Sequence, residues 1–330
     1  MNKTSRFIDV HHHIIPEQYR SALEDLGVAK SGGMPIKKWT PESSLEMMDR
    51  LGIEVGIGSI SEPGVTPFLN KQVAKELARG VNEFQADMIA KYPKRFGGFA
   101  FLPLPDIDNA LEELTYAIDT LHLDGVGLLS NYNEHFLGDP IFDDLMTELN
   151  KRKAVVFIHP SAPPETSPRP RFITADFMAE FTFNTTRAAA NLILSGTIER
   201  CPDIKFILAH AGGTLPYLKW RIGQSYRSGK VWMKDELVAE RWNTLTKDPE
   251  EYMKSFYYET AISTQPATFE SLKDTTTSSH ILFGSDAHYA LEVWTKSMIE
   301  RISSYKGFDE STILDIERNN ALNLFPQFKA

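Results

Sequence analysis

Three histidines stand side by side from position 11, in the run FIDVHHHIIP from Phe7 to Pro16, directly after an apolar strand pattern. Side chains of a strand alternate between its two faces, so His11 and His13 share a face while His12 points away. Two imidazoles presented together at a strand end suit a divalent metal. A merely polar strand end is the competing reading. A purification tag is not, because three histidines between Val10 and Ile14 are too few and too apolar in context. A His-x-His pair becomes a metal site only where the fold supplies further ligands.

The rest of the chain is patterned to do that. Eight short apolar runs rich in β-formers alternate with helix-like segments, near Phe7–His13, Val55–Ser61, Phe96–Pro103, Gly125–Ser130, Ala154–His159, Lys205–His210, Phe256–Ala261 and His280–Asp286. Eight such units spell an α/β fold, a (β/α)8 TIM barrel, as one domain over residues 1–330. With 42% hydrophobic and 24% charged residues, the chain has the composition of a globular domain with a sizeable core. Thr40-Pro41 opens a helix whose stripe Leu45, Met48 and Leu51 ends at Gly52, and Asp139-Pro140 repeats the device. Val73, Leu77, Val81, Phe84 and Met88 keep helical spacing until Tyr92-Pro93 stops it. Residues 17–38 and 160–176 are longer than a barrel connection needs and are expected as short lid loops over the mouth.

Charge and composition exclude several partners. The net charge is −9 with no cluster of Lys and Arg, so a nucleic-acid surface is not expected. No stretch approaches the roughly 20 apolar residues of a membrane span. The N-terminal MNKTSRFIDV has no leader-like apolar run and Cys201 stands alone, which together lead to the expectation of a cytoplasmic protein.

In a barrel the C-terminal ends of the strands share one face. His11 and His13 end the first strand, His159 the fifth in VVFIHP, His210 the sixth in FILAHAGG and Asp286 the eighth in ILFGSDA. Each alone reads as a satisfied core histidine or a turn; five at matching ends read as a metal site. Nitrogen and carboxylate donors suit zinc, with manganese, iron or cobalt as alternatives, and a catalytic site leaves one position open.

The motifs IDVHHHIIP, WTPESSLEMMDRLGI, RFGGFAFLPL, VVFIHP, FILAHAGG, FYYETA and ILFGSDA occur in an order that resembles the aminocarboxymuconate-semialdehyde decarboxylase family of the amidohydrolase superfamily, over nearly the whole chain. The resemblance implies that His11, His13, His159 and Asp286 hold one divalent metal and that His210 is an acid/base beside it. It also implies a homodimer in which Arg221 reaches an acidic substrate across the interface. Two departures bear on the substrate. SGGMPIKKW carries no arginine where the family's name-giving member has one, and Lys37 or Lys38 lacks the bidentate fork. Asp286-Ala287-His288 stands where the family often has Asp-Tyr-Pro, which makes His288 either an addition to the pocket or a surface residue. GVGLLSNYN offers Ser130 and Asn131 where two-metal relatives carry a bridging lysine, so one metal is expected.

The expected activity is decarboxylation of a small aromatic or unsaturated carboxylic acid, without an organic cofactor, with His210 and Asp286 handling protons. The alternatives are a hydrolase of a lactone or amide in the same fold, and a non-catalytic, metal-stabilised ligand-binding barrel. Trp39, Phe172, Phe177, Phe181 and Phe183 are placed to stack on a planar substrate or to fill loop and helix core. Glu259 is expected to orient a metal ligand or join a salt bridge, and Arg169, Arg171 and Arg187 are candidates for carboxylate recognition.

Overall fold

The chain is described by a computed structural model over residues 7–164 and 166–329. The first six residues of MNKTSRFIDV and Glu165 of the second lid segment lie outside the described residues. Eight parallel strands follow one another around a single sheet in chain order: β1 Phe7–His13, β2 Ile53–Ser59, β3 Phe96–Phe101, β4 Gly125–Leu129, β5 Val155–His159, β6 Lys205–Leu208, β7 Tyr257–Glu259 and β8 Ile281–Leu282. The barrel closes from β8 back to β1, where Val10 N donates to Phe283 O at 3.1 Å and Asp286 N to His11 O at 2.9 Å.

Two apolar layers follow from the two faces of the strands. Ile8, Val55, Ile57, Phe99, Phe157 and Ile207 fill the barrel, and Phe325 and Phe328 close its lower end. The outer faces pack on helices such as Pro41–Leu51 and Lys71–Lys91. Thr40 caps the first with a capping box to Ser43, and Gly52 ends it in the left-handed region at φ 72°, as the sequence pattern predicts. Asp139-Pro140 opens only a 3-10 turn over Pro140–Phe142 before the helix Asp143–Lys151.

The strands are shorter at their C-terminal ends than the apolar runs suggest. His210 lies in a turn two residues past β6, and Asp286 four residues past β8. Both leave the ladder in the left-handed region, at φ 55° and 57°, which turns their side chains over the barrel mouth.

The first lid segment is not a loop. It folds into the helix Glu17–Asp25 and a hairpin pairing Lys30–Ser31 with Met34–Pro35. The helix buries only Tyr19 and Leu23, too narrow a stripe to be legible, and Arg20 ties Glu17 and Glu24 along its exposed side. The second segment is irregular but tightly bonded. Arg169 donates to Asp176 Oδ1 at 2.7 Å and to the carbonyls of Pro163 and Ser167, each at 2.8 Å. Gly33 packs on Ala175 and Gly32 on Phe181, so the segments meet over the mouth.

Candidate metal centre and active site

A bulge on β1 aims the first two histidines. Between Asp9 and His12 the strand spends three steps against two on β2, passing from Gly56 to Gly58. The extra residue lets Ile8 and Val10 fill the barrel and still brings His11 and His13 to its mouth. Asp9, which the sequence pattern did not single out, braces the bulge. Its Oδ1 accepts from His11 N at 3.1 Å and Ser285 N at 2.9 Å, and its Oδ2 from Ser285 Oγ at 2.5 Å and His12 Nδ1 at 3.0 Å. One carboxylate thus fixes the approach to His11 and to Asp286 together. His12 points outward to Ser44 Oγ at 2.9 Å.

His11, His13, His159 and Asp286 converge from β1, β5 and the turn after β8, all buried, with one donor atom of each within 4.8 Å of the others. His11 Nε2 stands 2.9 Å from His13 Nε2, and Asp286 Oδ1 lies 3.4 Å and 3.1 Å from the two. The Nδ1 atoms all face oxygen acceptors: Glu259 Oε1 at 2.9 Å for His11, Ser59 O at 3.4 Å for His13 and Pro160 O at 2.6 Å for His159. With Nδ1 donating, each neutral ring turns a lone pair inward. Three lone pairs and a carboxylate oxygen face one another, which is stable only around positive charge. Ligand atoms about 2.1 Å from a tetrahedral ion stand about 3.4 Å apart, close to the spacings found here.

In the metal-free protein a proton supplies that charge. Burial works against it, but Glu259 and Asp286 raise His11 to about 9. Burial lowers His13 and drives His159 well below the usual range. Burial opposes the charge of Asp286 too, yet His11, His13 and His210 hold it well below an ordinary carboxyl. The donor set therefore fits a single divalent cation.

Glu259 is the main brace behind the site. Besides His11 it accepts from His210 N at 2.5 Å and Ala261 N at 2.6 Å, orienting a ligand as the sequence suggested. It fits only because position 284 is glycine, where a Cβ would lie 1.8 Å from Glu259 Oε2. His210 Nε2 faces Asp286 Oδ2 at 3.3 Å, and its Nδ1 is buried without a partner. At the fourth strand end, Ser130 and Asn131 bond to each other at 2.8 Å, and Ser130 Oγ accepts from Ser161 N at 2.9 Å.

A small cavity opens on this group. Ser31, Ser61 and Tyr289 supply its hydroxyls, and Met34, Phe177, Phe181, Ile262 and Trp294 its apolar wall. Of the two placements open to them, Phe177 and Phe181 take the one at the cavity wall, and Phe181 meets His159 edge-on at 5.7 Å. Other expectations fall away. Trp39 does not line the cavity: it is buried against Phe84 and His288, and its indole N–H donates to Ser44 Oγ at 2.9 Å. His288 does not line the cavity and is half-buried beside Lys37; burial lowers it to about 2, and it shares Ser44 at 2.6 Å. Phe172 and Phe183 are exposed, Arg169 serves its own loop, Arg171 lies over Phe172, and Arg187 bonds Asn184. Arg221 sits on the exposed side of the helix Leu215–Arg227 and does not line its own chain's cavity. Ser31, Met34, Ile262, Tyr289 and Trp294 carried no sequence signal, since only the closed barrel and the hairpin bring them to the mouth.

A profile of the amidohydrolase family matches residues 8–327. The chain is 36% identical to the decarboxylase yanB of Aspergillus niger over 338 residues, covering 98% of this chain and 88% of that one. It is 34% identical to a 6-methylsalicylic acid decarboxylase of Penicillium expansum over 333 residues, covering 98% and 97%. In fold it resembles a dihydroxybenzoic acid decarboxylase of Polaromonas solved with bound manganese and 2-nitroresorcinol, with a TM-score of 0.79, 23% identity and coverage of 99% and 98%. Among the described residues no helix is long and apolar enough to cross a membrane.

Proposed function

The chain belongs to the amidohydrolase family, and from that premise we propose how it works: it is a metal-dependent carboxy-lyase that removes CO2 from a small aromatic carboxylic acid, without an organic cofactor. The observation that carries the reading is the convergence of three histidine Nε2 atoms and Asp286, with every Nδ1 turned to an oxygen acceptor and His210 alongside.

His11, His13, His159 and Asp286 hold the ion. When bound, it supplies the positive charge that draws an anionic carboxylate into a buried, acid-rich site and offsets charge developing on the ring. The net reaction replaces the carboxylate on a ring carbon with hydrogen: the C–C bond breaks, CO2 leaves, and a proton joins the carbon. His210 and Asp286 are the proton-handling pair, 3.3 Å apart, with Asp286 lining the cavity. Glu259 fixes His11 and the backbone of His210, so that both meet the substrate already oriented. Phe177 and Phe181 flank a planar ring and keep water from it.

The nitrogen-rich donor set favours zinc, with manganese, the ion of the Polaromonas enzyme, as the alternative. A homodimer in which Arg221 orients the substrate carboxylate draws support from the exposed Tyr217 and Trp220 on the same helix. A reducing, cytoplasmic setting fits the single buried Cys201.

The test is metal content and CO2 release together. Protein purified without added metal should hold about one equivalent, lost in His11→Ala and Asp286→Ala, and hydroxybenzoates should release CO2 in proportion to metal. Two equivalents, or turnover independent of metal, contradicts this mechanism. A concentration-dependent loss of activity on dilution, steepened in Arg221→Ala, tests the dimer.

A further inference from the structure

Three residues that stand outside the cavity, His12, Trp39 and His288, each turn a ring nitrogen to one atom, Ser44 Oγ, at 2.9, 2.9 and 2.6 Å. Ser44 is fully buried in the first turn of the helix Pro41–Leu51, where its N–H donates to Thr40 O at 3.2 Å. A hydroxyl has one proton to give and two lone pairs to receive with, and an indole N–H can only give. With Trp39 on one lone pair, one histidine must receive the Ser44 proton and the other must donate to the second lone pair. Asp9 decides which. Its Oδ2 meets His12 Nδ1 at 3.0 Å beside Ser285 Oγ, and a carboxylate oxygen takes only donors. The neutral His12 ring therefore carries its proton on Nδ1 and receives Ser44 at Nε2, which leaves His288 to donate from Nε2.

This hub joins the two segments that carry metal ligands. His12 lies between His11 and His13 on the β1 bulge, and His288 lies two residues past Asp286. The same segments are tied within the barrel wall, by Asp9 through Ser285 and by His13 N donating to Ala287 O at 2.5 Å. Ser44 adds a clamp from the helix layer outside. Any slip between bulge and turn changes the spacings of 2.9 to 3.4 Å among His11, His13 and Asp286. Without the hydroxyl, the Trp39 and His288 N–H groups lose their acceptor, and His12 loses the partner that keeps its proton on the Asp9 side.

We propose that Ser44 is a positioning residue for the metal centre: its single hydroxyl fixes the tautomers of His12 and His288 and thereby locks the β1 bulge to the turn after β8. His288, in the stretch where this chain departs from the family it resembles, is the half of the lock supplied by the turn. The inference rests on the four-ligand metal centre of the proposed function and not on the reaction. Loss of such an outer partner weakens metal binding by about 10- to 100-fold.

The experiment uses cobalt(II) as the probe, with affinity from chelator competition, the visible spectrum of the loaded protein, and Tm. It compares the wild type with Ser44→Ala, and with the half-buried position in two forms, His288→Leu, which cannot donate, and His288→Gln, whose amide N–H can reach Ser44. The wild type should bind one cobalt. Ser44→Ala and His288→Leu should bind it about 10- to 100-fold more weakly with an altered spectrum, and His288→Gln should stay within about threefold of the wild type. Nitrogen NMR of the metal-free wild type should show His12 protonated at Nδ1 and His288 at Nε2, and the reverse assignment overturns the inference. Wild-type affinity and spectrum in both Ser44→Ala and His288→Leu overturn it, even where Tm falls, because a packing role alone lowers Tm. Equal weakening in His288→Leu and His288→Gln overturns it too, since the lock then does not act through the hydrogen bond. In these cases the metal centre stands; a wild type that binds no cobalt overturns both.

Discussion

Replacing Glu259 with glutamine separates two effects that oppose each other in the wild type. The carboxylate receives His11 Nδ1, His210 N and Ala261 N between 2.5 and 2.9 Å, and glutamine keeps the shape while losing the charge. An imidazole backed by a carboxylate is a better ligand, and loss of such a partner weakens metal binding by about 10- to 100-fold. Glu259 also makes His11 hold a proton in the metal-free protein, with a value of about 9 against a usual 6.5. At pH 7 that proton lies about two pH units below its release point, so displacing it costs the metal on the order of 100-fold in affinity. The sign is that of a raised histidine: protonation is favoured below about 9, so metal affinity in the wild type climbs about tenfold per pH unit towards 9 and then levels. Glutamine removes the largest attraction for that proton, and its metal affinity should level at a lower pH. Measured with metal-buffering chelators, Glu259→Gln should bind within about tenfold of the wild type at pH 7 and 10- to 100-fold more weakly at pH 9. A ratio of affinities that is the same at both pH values would refute the argument, as would unaltered binding at pH 9 in a variant with wild-type Tm.

His210→Ala should retain its metal by elemental analysis and lose about 10²- to 10⁴-fold in turnover; unchanged turnover removes His210 from the proton transfer. Gly284→Ala drives a Cβ into Glu259 Oε2, so Tm should fall by the equivalent of about 1–3 kcal/mol together with metal affinity, and a variant that keeps both shows that the turn can shift freely. Glu62 is raised by burial to about 7 from a usual 4.5, so its contribution to stability is full below about 4.5 and is lost as pH rises through 7, by roughly 3 kcal/mol at most. Chemical unfolding of Glu62→Gln should show a smaller loss of stability between pH 5 and 8 than the wild type, and parallel curves would contradict this.

How far the site was legible depended on how local its signals were. The eight apolar runs, the caps at Thr40 and Gly52 and the polar residues at strand ends are statements about neighbours in sequence, and barrel geometry converts strand ends into one place. His11, His13, His159, His210 and Asp286 were all found this way. Trp39 was misplaced because aromatic character says nothing about direction; its N–H found Ser44 and its ring the core. The helix Glu17–Asp25 was missed because two buried residues make no readable period.

By itself, the sequence determined the alternation of strand and helix and the kind of atom waiting at each strand end, because backbone periodicity and side-chain chemistry are carried by the residues themselves. The tertiary structure decided what those atoms face. Strict alternation from Ile8 and Val10 carries His12, not His11, to the barrel mouth; the bulge braced by Asp9 reverses that, and Asp9 does so through Ser285, at the other end of the chain. The hairpin that brings Ser31 and Met34 to the cavity, the glycine that admits Glu259 and the left-handed turn at Ile262 likewise depend on contacts between distant segments. Register around a closed barrel is set by all eight strands at once, and no local stretch encodes it.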